Sequence, residues 1–140
     1  MPLTPDDLIR ADLKRDEGLK RRPYRDTKGL LTIGYGHNLA TGLCDAAIEA
    51  QLSCDLQSAE KSLDVMLPWW RLTPPAVQRV LANLCFNMGI AVLLTFTDFL
   101  SLVKSGDYHG AAVDLLKTQY ARDVKDRASR LAVLLQQVVE

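Results

Sequence analysis

Neither sign of charge dominates this chain. Its 17 lysines and arginines face 17 aspartates and glutamates, for a formal net charge of zero. A neutral chain exerts no global pull on nucleic acid, a membrane surface or an anionic wall, and no nucleic-acid partner is expected. Long apolar runs are missing too. The longest, Ile90–Leu94 and Leu131–Leu135, fall far short of the ~20 residues a membrane-spanning helix needs. The opening Met1-Pro2-Leu3-Thr4-Pro5-Asp6-Asp7 has no basic stretch followed by an apolar one, so no secretory leader is expected. The three cysteines, Cys44, Cys54 and Cys85, are odd in number and lack metal-ligand spacing. They read as buried free thiols of a protein made in a reducing compartment, with neither metal nor cofactor expected. No repeat or low-complexity stretch interrupts the chain.

What is present suits one soluble globular domain: 140 residues, 48% of them hydrophobic. Such a chain buries roughly two thirds of the surface it exposes when unfolded, enough for a core without staples. Nothing demands more than a monomer.

Thr4-Pro5-Asp6-Asp7 is a helix start. Threonine caps, proline suits the first helical position, and acids favour the positive helix end. The helix should run to about Glu17 and stop at Gly18. Ile9, Leu13 and Glu17 lie four apart and share one face. Glu17 is therefore expected on a partly buried stripe, where lost hydration favours a protonated carboxyl. Pro23 and Gly29 bracket a change of period. Asp26-Thr27-Lys28-Gly29 has turn chemistry, and Leu30–Tyr35 reads as a strand with Leu30, Thr32 and Gly34 on one face. The residues from Pro23 to Asp26 should pair with it as a hairpin. Gly34 and Gly36 would let a ligand approach the backbone closely.

From Asp45, a plausible cap, to Leu67 the pattern Ile48, Leu52, Leu56, Ala59, Leu63, Met66 is one long helix, ended by Pro68. Thr73 should cap a helix opened by Pro74-Pro75 and closed by Met88-Gly89. Helices are expected at Ile90–Leu94, Thr97–Lys104, Asp107–Lys117 and Asp123–Val138. The fold class is α+β, mostly helical. A lobe of helix plus hairpin spans about 1–44, a bridging helix 45–67 and a helical lobe 68–140. A cleft between two lobes is where a polymer would lie.

Glu17 and Asp26 are nine residues apart and cannot share a helix face. One sits at a helix end, the other in a turn beside Arg25. Glycoside hydrolysis needs such a pair: one carboxyl held protonated for the leaving oxygen, the other ionised. Spacing alone also fits two ordinary surface residues. Lys14, Arg15, Lys20, Arg21, Arg22 and Arg25 crowd around them. That run suits either a solvated basic face or a local contact for an anionic polymer. Trp69-Trp70 suits either sugar stacking or core packing. His109 reads as a surface residue on a helix.

The order Glu17-Gly18, Tyr24-Arg25-Asp26-Thr27-Lys28-Gly29, Thr32-Ile33-Gly34-Tyr35-Gly36-His37 resembles the catalytic segment of the phage-type, T4-like lysozymes. Further on, Asn83-Leu84-Cys85-Phe86-Asn87-Met88-Gly89 is similar to the family's Asn-x-x-Phe-x-Met-Gly helix end. Phe96-Thr97, Ala111-Ala112-Val113 and Arg127-Ala128 follow at familiar distances. The resemblance covers about Leu8 to Leu135. It implies a metal-free muramidase with a lysozyme-like two-lobe fold, cutting the β-1,4 bond between N-acetylmuramic acid and N-acetylglucosamine in peptidoglycan, with inversion. It implies Glu17 as general acid, Asp26 as the second carboxylate and Thr32 as holder of the water. Gly36 and Phe86 fall at substrate-lining positions. For His37, a catalytic role and a structural one both remain; the resemblance implies the structural one, paired with Asp55. It further implies release to the wall by another protein. Departures are Asn38 in place of an apolar residue, Phe99 and Asp114 at positions that are small or amide-bearing in relatives, and a short passage from hairpin to long helix. A non-catalytic wall-binding protein of the same fold is the alternative.

Overall fold

The structure, a computed structural model, describes residues 1–138. The expected helical lobe runs to 140, so its last two positions lie outside the described residues. The chain divides into two units, Met1–Glu49 and Ala50–Glu140.

The first unit begins with α1 (Pro5–Glu17). Thr4 and Asp7 form a reciprocal capping box: Thr4 Oγ1 accepts from Asp7 N–H, while Asp7 Oδ2 accepts from Thr4 N–H at 2.8 Å. Two of the helix's orphan donors are thereby satisfied. Gly18 ends the helix at φ 70°, a conformation that costs a side chain-bearing residue. Three antiparallel strands follow in spatial order β1 (Lys20–Arg25), β2 (Leu31–Gly34) and β3 (His37–Asn38). Tyr24 opposes Thr32 and Arg25 opposes Leu31, while Thr32 opposes Asn38 on the other side. β2 is shorter at both ends than expected, because Leu30 belongs to the turn and Tyr35-Gly36 to the next one. Asn38, the apolar-to-polar departure, has a local reason. Its Oδ1 accepts from Ala40 N–H at 3.0 Å and caps a 3-10 turn at Leu39–Thr41. The long helix α2 (Asp45–Met66) starts at Asp45 itself, so that residue favours the positive helix end by charge from inside the first turn.

The second unit is helical. A 3-10 turn at Trp70–Leu72 leads into α3 (Pro75–Met88), then α4 (Ile90–Leu93), α5 (Thr97–Ser105), α6 (Tyr108–Leu116), α7 (Gln119–Asp123) and α8 (Lys125–Gln136). α6 packs on α5 and α8, and α3 on α4 and α8. Leu63, Val77, Val80, Leu81, Leu84, Leu93, Phe99, Val103, Leu115 and Leu135 are fully buried among them. Phe99 is thus a core residue, and His109 is exposed on α6 as expected. Trp70 is buried with Trp69 packed on the same core, so the pair serves packing. The Trp70 indole N–H donates to Asp64 Oδ1 at 2.7 Å.

Three expectations are corrected. Thr73 does not cap α3: its hydroxyl donates to Trp70 O at 2.6 Å, closing the 3-10 turn, and Pro74 takes the cap position. The last helix starts later than expected, at Lys125, because Val124 leaves helical geometry at φ −129°, ψ 53°, and a further short helix, α7, precedes it, capped by Thr118 accepting from Ala121 N–H at 3.1 Å. Of the three free cysteines only Cys85 is buried; Cys44 and Cys54 are exposed. Burial raises the Cys85 thiol above its ordinary value.

Arg71 binds Asp64 at 2.7 Å and Glu60 at 3.2 Å. The Arg71 hydrogen bonds, then the Trp70 N–H, hold the Asp64 carboxyl below its ordinary value of 3.8. A carboxyl lowered by folding stabilises the native state above the unfolded-state value, and that stabilisation vanishes as pH falls through the folded-state value. Asp64→Asn should therefore melt below the parent at neutral pH, and the gap in Tm should close as pH drops below about 4. Thermal melts at stepped pH measure this; a gap that persists unchanged in strong acid assigns the loss to packing alone.

Candidate active site

The turn between β1 and β2 is closed by one aspartate and one carbonyl. Asp26 N–H donates to Leu30 O at 2.9 Å, and Gly29 N–H donates back to Asp26 O at 2.9 Å. Asp26 Oδ1 accepts from Lys28 N–H at 2.9 Å and Leu30 N–H at 2.8 Å. Gly29 sits at φ 78°, which lets the chain reverse in so few residues. Two backbone donors thus fix the Asp26 carboxylate by one oxygen. Its Oδ2 has no hydrogen-bond partner among the described residues.

Thr32 lies two residues past Leu30 on the central strand and is 3% exposed. Its hydroxyl donates to Leu30 O at 2.8 Å. The expected face is therefore the observed one, and Leu30 joins the two groups. Its N–H holds Asp26, and its carbonyl receives both Asp26 N–H and the Thr32 hydroxyl. With its proton committed, Thr32 Oγ1 acts toward any further partner as an acceptor. The sequence reading missed this role of Leu30, because it is played by backbone atoms and no side-chain pattern records it.

Glu17 is the last residue of α1. The expected partly buried stripe is absent: α1 carries no buried residue, and Leu13 is 52% exposed. The helix is too rich in charge to bury a face; Asp12, Lys14, Arg15 and Asp16 surround the stripe. The Glu17 carboxyl lies instead against a glycine. A β-carbon at Gly36 would lie 2.7 Å from Glu17 Oε2, so the carboxyl rests against the Gly36 α-carbon. Gly36 also holds φ 74°. Arg10, Leu13, Lys14 and Tyr35 complete a hollow of about 240 Å³ around Glu17. Lys14 Nζ stands 5.6 Å from the Tyr35 ring centroid, a cation–π distance. Lys14 precedes Glu17 by three on the helix, and that spacing was the available signal for it.

Other expected site residues have partners within their own units. His37 Nε2 lies 2.6 Å from Gly42 O, which implies that this nitrogen carries the proton and donates. Asp55 Oδ1 accepts from Gln51 Nε2 at 2.9 Å along α2. Phe86, near the end of α3, is 45% exposed. It lines a groove of about 290 Å³ with Asp55, Ser58, Ser62 and Gly89. Among the described residues no cluster of His, Cys, Asp and Glu could hold a metal. No described helix is long and apolar enough to cross a membrane.

A helix, a small antiparallel sheet and a helical unit, with a fixed carboxylate in the first hairpin, make up a lysozyme-like α+β fold. Residues 14–134 match the model of the phage lysozyme family, and the chain belongs to that family. It is 26% identical to the pre-baseplate central spike protein Gp5 of Enterobacteria phage T4, over 88% of this chain and 26% of that protein. It is 28% identical to an endolysin of Acyrthosiphon pisum secondary endosymbiont phage 1, over 79% of this chain and 76% of the endolysin. It is 26% identical to a probable T4-type lysozyme 1 of Dictyostelium discoideum, covering 91% and 93% of the two chains. The chain therefore spans about a quarter of the spike protein and most of the endolysin and the lysozyme.

The Gly36 contact has a measurable consequence. Gly36→Ala should cost about 1–2 kcal/mol, the strain of a side chain-bearing residue at positive φ, and should also push the Glu17 carboxyl aside. Gly42 has the same φ of 74°, and a methyl group there would meet nothing within 4 Å. Gly42→Ala should also lose stability in urea unfolding but leave the Glu17 carboxyl carbon resonance where it is. Equal resonances in all three proteins would remove Gly36 from the positioning of Glu17.

Proposed function

We propose that this chain is a muramidase that hydrolyses the β-1,4 bond between N-acetylmuramic acid and N-acetylglucosamine in bacterial peptidoglycan. Membership of the phage lysozyme family supports this, as does the likeness to proteins named endolysin and lysozyme. The observation that carries it is the joint at Leu30, which holds a carboxylate and a proton-committed hydroxyl on the backbone of one residue.

In this mechanism Glu17 is the general acid and donates its proton to the leaving glycosidic oxygen. A water gives one hydrogen to Thr32 Oγ1 and the other to Asp26 Oδ2. Its lone pair is left for the anomeric carbon as the glycosidic bond breaks. Asp26 takes the water's proton as the new bond forms. Attack from the face opposite the leaving group inverts the anomeric centre. Phe86 and Gly36 contact sugar, the first through its exposed ring face and the second through its bare backbone. The enzyme works without a cofactor and as a monomer, on wall reached after release.

Glu17→Gln should abolish release of reducing ends from purified murein, a loss of at least about 10³-fold given the size of a general acid's contribution, with an unchanged melting curve. Thr32→Ser should keep most activity and Thr32→Val should lose it. Analysis of the products should find reducing N-acetylmuramic acid, first formed as the α-anomer by NMR. Reducing N-acetylglucosamine, or full activity in Glu17→Gln, would overturn the assignment.

A further inference from the structure

β1 is the edge of its sheet, hydrogen-bonded to β2 on one side only. It reads Lys20-Arg21-Arg22-Pro23-Tyr24-Arg25, and its four cations are all exposed. Lys28 follows in the turn. From Gly18 to Cys44 these five cations stand against a single acid, Asp26. None of the five is in an ion pair among the described residues, although Arg10, Arg15 and Arg71 all are. Arg25 alone of them donates to the protein, from Nη1 to Gly29 O at 3.0 Å.

Edge strands are blunted against aggregation by a lysine, a proline or a bulge. β1 already has Pro23 and a register irregularity between Lys20 and Tyr24, so edge protection is met before the arginines are counted. Crowding further like charges on one strand works against the fold. Leu19, Lys20, Arg21, Arg22, Pro23 and Tyr24 instead line an open hollow of about 580 Å³. At its far end the strand passes directly from Arg25 into the turn that holds the Asp26 carboxylate.

We propose that β1 is an anion-binding track for the stem-peptide carboxylates of the same glycan strand that the site cleaves; this rests on the muramidase assignment. Six residues of strand cover about 20 Å. The anions within reach are those on sugars flanking the bond at Asp26, and in peptidoglycan these are carboxylates of peptides borne by muramic acid. Guanidinium groups match carboxylates with paired hydrogen bonds. Each exposed contact is weak and screened by salt, so the track acts collectively and orients the strand. The neutral chain as a whole keeps the attraction local.

The test compares parent with Arg21→Glu/Arg22→Glu on two substrates: teichoic-acid-free peptidoglycan with its stem peptides, and the same glycan stripped of peptides by an amidase, with the lactyl carboxylates that this frees converted to neutral amides. On the peptide-bearing wall at low salt, kcat/KM of the variant should fall about tenfold, the sum of two weak contacts and their reversal, and the gap should narrow at high salt. On stripped glycan the two proteins should cleave alike. Equal rates on both substrates would overturn the track, and so would equal losses on both. With teichoic-acid-bearing wall as a third substrate, a loss confined to that wall would also overturn it, giving the strand to a different anion. The milder Arg21→Gln/Arg22→Gln should show a smaller loss in the same direction if the reversal does not fold. A parent that releases no reducing ends from either substrate sinks the muramidase assignment itself, a result separate from any of these.

Discussion

The backbone of Leu30 is the joint on which the hairpin depends. Its carbonyl receives Asp26 N–H and the Thr32 hydroxyl, and its own N–H goes to Asp26 Oδ1. Turn closure and presentation of the carboxylate are therefore one event. If Asp26 were replaced by a residue that cannot accept, two backbone donors would lose their partner and the turn would loosen together with the chemistry. The same joint sets the polarity of Thr32. A hydroxyl has one proton, and the fold has already used it, so what remains for a water is an acceptor. Selection of protonation roles here is done by backbone geometry before any substrate arrives.

Glu17 is held by different means. No apolar wall surrounds it; the chain brings Gly36 against it, so that the absence of one methyl group leaves the carboxyl room there. Helix end and strand end are both finished by glycines at positive φ, Gly18 at 70° and Gly36 at 74°. The two turns that aim the carboxyl are thus ones that other residues would strain.

Local chemistry was the legible part of the sequence. The Thr4 cap, the glycine stop at Gly18, the Asp26–Gly29 turn and the strand that carries Thr32 all follow from signals a few residues long. So does the closure of α3 at Gly89. What was illegible depended on competition between equals. Thr73 has one hydroxyl and two uses, and the 3-10 turn won it. The helix expected from Asp123 is there as α8, but the short α7 that Thr118 caps before it, and the break at Val124, were not read from the spacing. The α1 stripe shows the limit most sharply: three residues spaced four apart specify a face, but not that anything covers it. Spacing alone fitted Glu17 and Asp26 as two ordinary surface residues; the family motif named them as a pair. The Leu30 joint and the Gly36 contact needed coordinates, since one is backbone and the other is a void.

The distribution of burial explains why the two units answer mutation differently. In Met1–Glu49 the one buried side chain is Thr32, a polar residue; the buried apolar residues begin at Ala59 and lie in the second unit. A core built from Leu, Val, Ala and Phe tolerates swaps that conserve volume, because its cohesion is non-directional. The first unit is held by directional bonds: a capping box, a two-donor aspartate, a threonine on a carbonyl, glycines at positive φ. Each of these is made by one residue type at one place, so loss is local and complete. Regions with few buried apolar contacts also open most readily. Glu17, Asp26 and Thr32 therefore sit on the part of the chain with least reserve, and Asp26 and Thr32 are each held by specific hydrogen bonds because no shared core holds them together.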